Sequence, residues 1–272
     1  MKGEGKMISE MKREALQSLK GKWGLGVGST ILQFVLNYIV SLVVSLIVII
    51  PVLLFIMAIG DSVYAFEEGA AAIGAVILLI FMYILMLIVN YGSYGIMAYG
   101  YTNLYVNISK RNNVTIDYLF EGFRGLSRIW KSIKAMLGLL VYSLSWLPIV
   151  FIGILMFVIG DENNPPESEA LVIVVLGLLF ISIIVSIIAY FSYAMTFYIL
   201  VENPEYSVLQ ALKESKSIMK GHKLDLFLLW LSFIGWGILA MFTLGIGLLW
   251  LYPYFTTTTA HFYRYISEKE LY

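Results

Sequence analysis

Along the 272 residues, long runs of apolar side chains alternate with short polar stretches, and the length of the runs decides the architecture. No charged residue occurs between Trp23 and Gly60, between Gly69 and Ser109, between Ala135 and Gly160, or between Ala170 and Val201. A helix rises about 1.5 Å per residue, so the hydrocarbon core of a bilayer takes roughly 20 residues. Each run is long enough to cross it once. The start of the first run is expected to lie in the interface and the last run, Leu226 to Phe262, about 37 residues, to turn near Thr243 to Gly247 and cross twice. The pattern predicts an all-α, polytopic membrane protein, a single integral membrane domain over residues 1–272. Its six transmembrane helices, arranged as three hairpins, fall at roughly 30–57, 71–99, 135–159, 170–200, 225–243 and 247–265.

Ahead of the odd-numbered spans the period changes to that of an amphipathic cytoplasmic helix. In residues 1–22, Met7, Met11, Ala15 and Leu19 fall four apart among lysines. In 203–221, Asn203, Pro204 and Glu205 suit a helix start and Lys220-Gly221 a terminus. Along that helix Val208, Leu212, Ser215 and Met219, with Ala211 and Ile218, share one face, and Lys213, Lys216 and Lys220 lie elsewhere. A shorter helix is expected around TIDYLFEGFRGLSRIWKSIK, residues 115–134. Such helices are expected to lie flat on the bilayer. A basic start before an apolar run also suggests a signal peptide, but the run continues to Gly60 without a small-residue cleavage pattern, so the segment is expected to stay attached.

Charge then orients the chain. Six Lys and Arg precede the first span, six lie between the second and third, four between the fourth and fifth, and two after the sixth. The opposite loops hold Asp61, Glu67, Glu68, Asp161, Glu162, Glu167 and Glu169 and no basic residue. Lys and Arg near span ends stay in the cytoplasm, so both termini are expected there. The formal net charge of zero conceals a cytoplasmic side with eighteen basic and eleven acidic residues. Facing an anionic leaflet, each well-placed basic residue contributes roughly 1 kcal/mol. The candidate lipid or partner surface comprises Lys12, Arg13, Lys20 and Lys22, then Arg124, Arg128 and Lys131, then Lys213, Lys216, Lys220 and Lys223.

Composition narrows the chemistry. The chain is 60% hydrophobic and 13% charged, more apolar than a soluble core requires. With no cysteine there is no disulfide, thiolate metal site or Cys nucleophile. No span carries Asp, Glu, Lys or Arg in its core, where ion-coupled carriers place them, so energised transport by this chain alone is disfavoured.

A weak threefold pattern runs through the chain. SLKGKWG at 18–24 and SIMKGHK at 217–223 each precede a span, with SRIWKSIK before the third, and YGSYGIMAYGY, YFSYAMTFY and YPYFTTTTAHFY close the hairpins. The ENP start, the S-x-x-M-K-G-x-K helix end, LSFIGWGIL, G-I-G-L-L-W-L-x-P-Y, the A-x-F-Y finish and the leading A-L-x-S-L-K-G-K-W-G resemble an uncharacterised family of bacterial integral membrane proteins, domain of unknown function 975. The resemblance covers essentially the whole chain and implies a bacterial plasma membrane. It supplies no activity, substrate or catalytic residue.

Candidate chemistry is sparse. His222 and Asp225 are three apart and could share a helix face, although two ligands do not make a site. His261, near Arg264, reads best as a hydrogen-bonded anchor, and Gly24, Gly26 and Gly28, with no strand before them, as a hinge or packing face. Tyr94, Tyr193, Tyr254, Thr257 and Thr258 form a candidate intramembrane polar cavity, with Pro253 freeing a carbonyl nearby; the simpler reading is that the Thr hydroxyls bond their own helix. No enzyme activity, cofactor or metal is expected. The leading expectation is a non-catalytic envelope protein binding anionic phospholipid or a membrane protein partner, and not nucleic acid, through its basic cytoplasmic face. The alternative is a passive or accessory transporter of a lipid-like or amphiphilic peptide substrate.

Overall fold

The computed structural model describes residues 2–60, 69–144, 151, 153 and 168–269. These form α1 (Lys2–Leu19), α2 (Trp23–Gly60), α3 (Gly69–Ser109), a 3-10 helix (Ile116–Phe123), α4 (Leu126–Ser143), α5 (Ser168–Tyr193), α6 (Thr196–Glu202), α7 (Val208–Ile218), α8 (Lys223–Leu231), α9 (Ile234–Phe242) and α10 (Leu248–Lys269), with no strand among the described residues. Among the described residues, four stretches are long and apolar enough to cross a membrane: Trp23–Leu54, Val76–Ser109, Ile173–Glu202 and Lys223–Phe242. They overlap the first, second, fourth and fifth expected spans. The third, 135–159, lies largely outside the described residues beyond the end of α4.

The expected sixth span coincides with α10 and is helical throughout, yet it is not among those four stretches. Its surroundings explain the polar content. Thr256 to Ala260, Phe262 and Tyr263 are all buried, and α10 packs against α1, α2, α3, α8 and α9. A helix sheathed by other helices need not be apolar all round, because its hydroxyls meet protein rather than lipid. At the preceding turn, the Gly247 amide donates to Thr243 Oγ1 at 2.7 Å, and Leu244 and Gly245 both take positive φ. Phe233 then meets Tyr254 and Trp230 meets Phe255, which makes α8–α9 antiparallel to α10.

Packing is concentrated at the end of the bundle that carries the basic residues. Fully buried large side chains include Tyr105, Phe262, Leu104, Met195, Met219 and Leu226. Towards the other end, Ile47, Leu54, Ile77, Phe81, Ile173 and Phe180 keep 60% or more of their surface exposed, as side chains facing hydrocarbon would.

The Lys-Gly pattern has a common geometry. Gly21 and Gly221 both adopt positive φ, 78° and 90°, between a short helix and the next long one. In each the following residue's amide reaches back three residues, Lys22 to Leu19 and His222 to Met219. The burial order also repeats: Met11, Ala15, Ser18, Leu19 and Gly26 are buried in one copy, Ala211, Ser215, Ile218, Met219 and Leu226 in the other. The third site differs from the expected single helix. Gly125, at φ 91°, divides it into the 3-10 helix and α4, so SRIWKSIK begins the long helix instead of preceding it.

The short helices do not offer their apolar faces to the bilayer. The buried side of α7 packs on α4, α5 and α6, and that of α1 on α10 and α3. Small residues at the contact, Ala211 and Ser215 in α7 and Ala15 in α1, let the helices approach closely, and this fit to protein outcompetes insertion between headgroups. The 3-10 helix comes closer still: a Cβ at Gly100 would lie 1.8 Å from the Leu119 carbonyl oxygen.

Candidate functional site

The eleven basic residues of the expected surface divide by what they touch. Lys12 donates to the Ser232 carbonyl at 3.0 Å and lies 4.2 Å from the centre of the Phe233 ring; burial pushes its ammonium pKa down. Lys22 donates to the Asn112 carbonyl at 2.6 Å, Lys131 to that of Pro204, and Arg13 pairs with Glu10 at 3.7 Å. Arg124 and Arg128 share Glu121. Lys20, Lys213, Lys216, Lys220 and Lys223 have no such partner among the described residues, and all but half-buried Lys223 are exposed. Lys6 in α1 and Lys134 in α4 are likewise exposed and unpaired among the described residues, but α7 and the turn after it carry the largest group, Lys213, Lys216, Lys220 and Lys223.

Two short helices also support breaks in the spans. The helix stops at Tyr193 and restarts at Thr196. Across this gap the Ser215 hydroxyl donates to the Ser192 carbonyl at 3.0 Å and accepts from the Met195 amide at 3.2 Å. Both groups would otherwise be unmet in a dry interior. Between α8 and α9, Lys12 serves the Ser232 carbonyl in the same way.

A cavity of about 600 Å³ lies between α2, α3, α4, α5–α6, α8 and α10. Of the five residues expected to form one, Tyr94 and Tyr193 line it. Thr257, Thr258 and Tyr254 do not; the wall of α10 is made instead by Tyr252, Phe255, Thr256 and Thr259. Tyr254 borders a separate apolar groove with Trp23 and Trp236. Each threonine hydroxyl donates to the carbonyl four residues earlier, from Thr256 to Tyr252 through Thr259 to Phe255, at 2.7–3.0 Å. This bonding satisfies the hydroxyls locally, which is why four in a row do not demand a polar pocket. Sequence reasoning missed Gln33 and Trp230, which also line the cavity. Gln33 Oε1 and Trp230 Nε1 are buried without a hydrogen-bond partner. An amide inside an otherwise apolar run was the available signal for Gln33.

The deep tyrosines find other helices. Tyr105 Oη donates to the Gly26 carbonyl at 3.2 Å and lies 3.2 Å from Ser29, while Tyr101 lies 3.2 Å from Thr30. A Cβ at Gly26 would stand 3.0 Å from Pro253, so of the three early glycines this one is a packing contact, while a Cβ at Gly24 or Gly28 would meet nothing. His222 Nδ1 is 2.8 Å from Asp225 Oδ2, and His261 Nε2 is 3.0 Å from Ser18 Oγ. Among the described residues no three His, Asp or Glu side chains converge as a metal site would require.

Residues 1–270 match the family described as "Protein of unknown function (DUF975)". No curated protein and no solved structure matches the chain.

Proposed function

The chain belongs to this family of unknown function, and with that as premise we propose that it is a non-catalytic, multi-pass protein of the bacterial plasma membrane that binds anionic phospholipid headgroups through α7 and its flanking turn. It crosses the bilayer six times as three hairpins, with both termini in the cytoplasm. One observation carries the reading. Lys213, Lys216, Lys220 and Lys223 stand unpartnered on one short segment, whereas Lys12, Lys22, Lys131, Arg13, Arg124 and Arg128 are engaged within the protein. Because the apolar side of α7 is occupied by the bundle, attraction to the membrane surface rests on charge alone, and salt weakens it.

The test is titration of the detergent-purified full chain with dioctanoyl-phosphatidylglycerol and dioctanoyl-phosphatidylcholine. The anionic lipid should bind more tightly. Replacing Lys213, Lys216 and Lys220 with Gln should reduce that preference by at most about 1 kcal/mol per residue, as should raised salt. Equal binding of both lipids would sink the proposal and leave a protein partner as the occupant of this face.

A further inference from the structure

α1 and α7 turn their apolar sides into the bundle, whereas the 3-10 helix (Ile116–Phe123) carries a second apolar ridge left open among the described residues. A 3-10 helix has three residues per turn, so positions three apart stand in line. Leu119 and Gly122 make the ridge that presses on α3, at Gly100 and Ile96. Phe120 and Phe123 make the next ridge, with ring centres 6.4 Å apart, and both are exposed. After the turn at Gly125, α4 continues the patch with Leu126 and Trp130, 76% and 58% exposed. Four large apolar side chains gathered on a surface mark a contact with lipid or with protein.

Three observations favour lipid. Ile96 and Gly100, on which the 3-10 helix rests, fall at the cytoplasmic end of the expected second span, 71–99, and α3 runs on to Ser109, about 20 Å beyond Ile96. The patch therefore lies at the depth of the membrane boundary. Trp130 and Val141, eleven residues and so about three helical turns apart, share a face of α4, and Val141 is exposed within the expected third span. The lipid-facing stripe thus continues into the patch. α4 has no acidic residue, and Glu121 is held by Arg124 at 3.1 Å and by Arg128. Exposed Lys134, one turn beyond Trp130 on the same face, can lay its stem along the apolar surface and its ammonium among phosphates.

We infer that Phe120, Phe123, Leu126 and Trp130 form an interfacial anchor that enters the boundary between headgroups and acyl chains in the cytoplasmic leaflet. Exposed Asp117 starts the phenylalanine ridge and keeps that end in water. Close backbone contact at Gly100 and Gly122 ties the anchor to α3, so it holds the loop between the second and third spans at one depth. The inference rests on the spanning helices alone. Its residues are separate from Lys213, Lys216, Lys220 and Lys223, so it stands whether or not α7 binds anionic lipid.

The chain has no cysteine, so a single introduced one carries a nitroxide label at a known place. Phe123→Cys and Leu126→Cys are labelled in the full chain, reconstituted into nanodiscs of phosphatidylglycerol and phosphatidylcholine. Val141→Cys is the lipid reference, and Asn113→Cys, exposed in the preceding loop, is the water reference. Oxygen concentrates in hydrocarbon and a nickel chelate in water. The ratio of label relaxation by oxygen to that by the chelate should be several-fold greater at 123 and 126 than at 113, and should approach the ratio at 141. Replacing Lys213, Lys216 and Lys220 with Gln should leave these ratios unchanged. Ratios at 123 and 126 equal to that at 113 overturn the anchor and leave the patch to a protein partner. A water-like ratio at 141 as well overturns the spanning reading of α4 together with the anchor. A fall at 123 and 126 on replacing the lysines would make the contact a by-product of α7 binding, and overturns the inference too.

Discussion

Ser215 Oγ lies 3.0 Å from the Ser192 carbonyl oxygen, so a surface helix closes the gap between α5 and α6 from outside the span. Ser215 is fully buried and serves both sides of the break. Ser215→Ala should therefore destabilise the protein by about 1–3 kcal/mol, because it leaves a carbonyl and an amide unmet. Ser217→Ala, on the exposed side of the same helix, should change little. Thermal unfolding of both variants in detergent checks this; equal melting would show that the break needs no support.

Backbone contact makes a sharper prediction at the 3-10 helix. At Gly100 an added Cβ would overlap the Leu119 carbonyl, and at Gly122 that of Ile96, 2.2 Å away. Gly100→Ala should cost about 1–3 kcal/mol or more, since backbone must move. Gly24→Ala, where a helical glycine has open space, should instead stabilise by about 0.5–1 kcal/mol. A shared sign for the two changes would contradict the packing.

The Lys-Gly corners should behave as a pair. Gly21 and Gly221 hold φ values that cost an L-residue about 1–2 kcal/mol, so Gly21→Ala and Gly221→Ala should destabilise by similar amounts, with Asn substitutions milder. Chemical denaturation of the four variants provides the comparison. If only one corner is sensitive, their common geometry has no common energetic role.

The threonines of α10 should be nearly silent. Because each hydroxyl bonds its own helix, Thr257→Val or Thr258→Val should shift stability by no more than about 1 kcal/mol in thermal unfolding. A larger loss in either would show that its hydroxyl holds more than its own helix.

Charge segregation sets the topology test. Reporters fused after Glu68 and Glu167 should register outside the cell, and those after Asn112, Ser217 and Tyr272 inside. A cytoplasmic signal at Glu167 would refute six crossings.

Periodicity made the buried faces of α1 and α7 legible, because a helical stripe such as Leu212, Ser215 and Met219 has few alternatives, but α7 does not start at Asn203 as expected: Asn203 ends α6, and Ser207 caps α7 in a capping box with Gln210. What covered those stripes was not legible, since an apolar face fits lipid and protein alike until a small residue such as Ala211 is seen against a neighbour. Helix breaks at Ala194 and Ser232 carry neither proline nor glycine and depend on distant partners, Ser215 and Lys12. In the cavity, Tyr94 and Tyr193 were legible from the tyrosine-rich segments that close their hairpins. The threonines follow the simpler of the two expectations, each hydroxyl bonding its own helix, while the expected place of Thr257 and Thr258 in the cavity wall is taken by Thr256 and Thr259. Gln33 carried a signal in the sequence, an amide inside an apolar run, whereas Trp230 does not stand out among the apolar residues of its span.

The uneven packing of the bundle has a mechanical consequence. With α2, α3 and α5 clamped near the basic end and lipid-facing beyond it, each far half is a lever whose fulcrum is the contact with the short helices. Lateral pressure acting on the long arm of α5 would be felt first at the α5–α6 break that Ser215 braces.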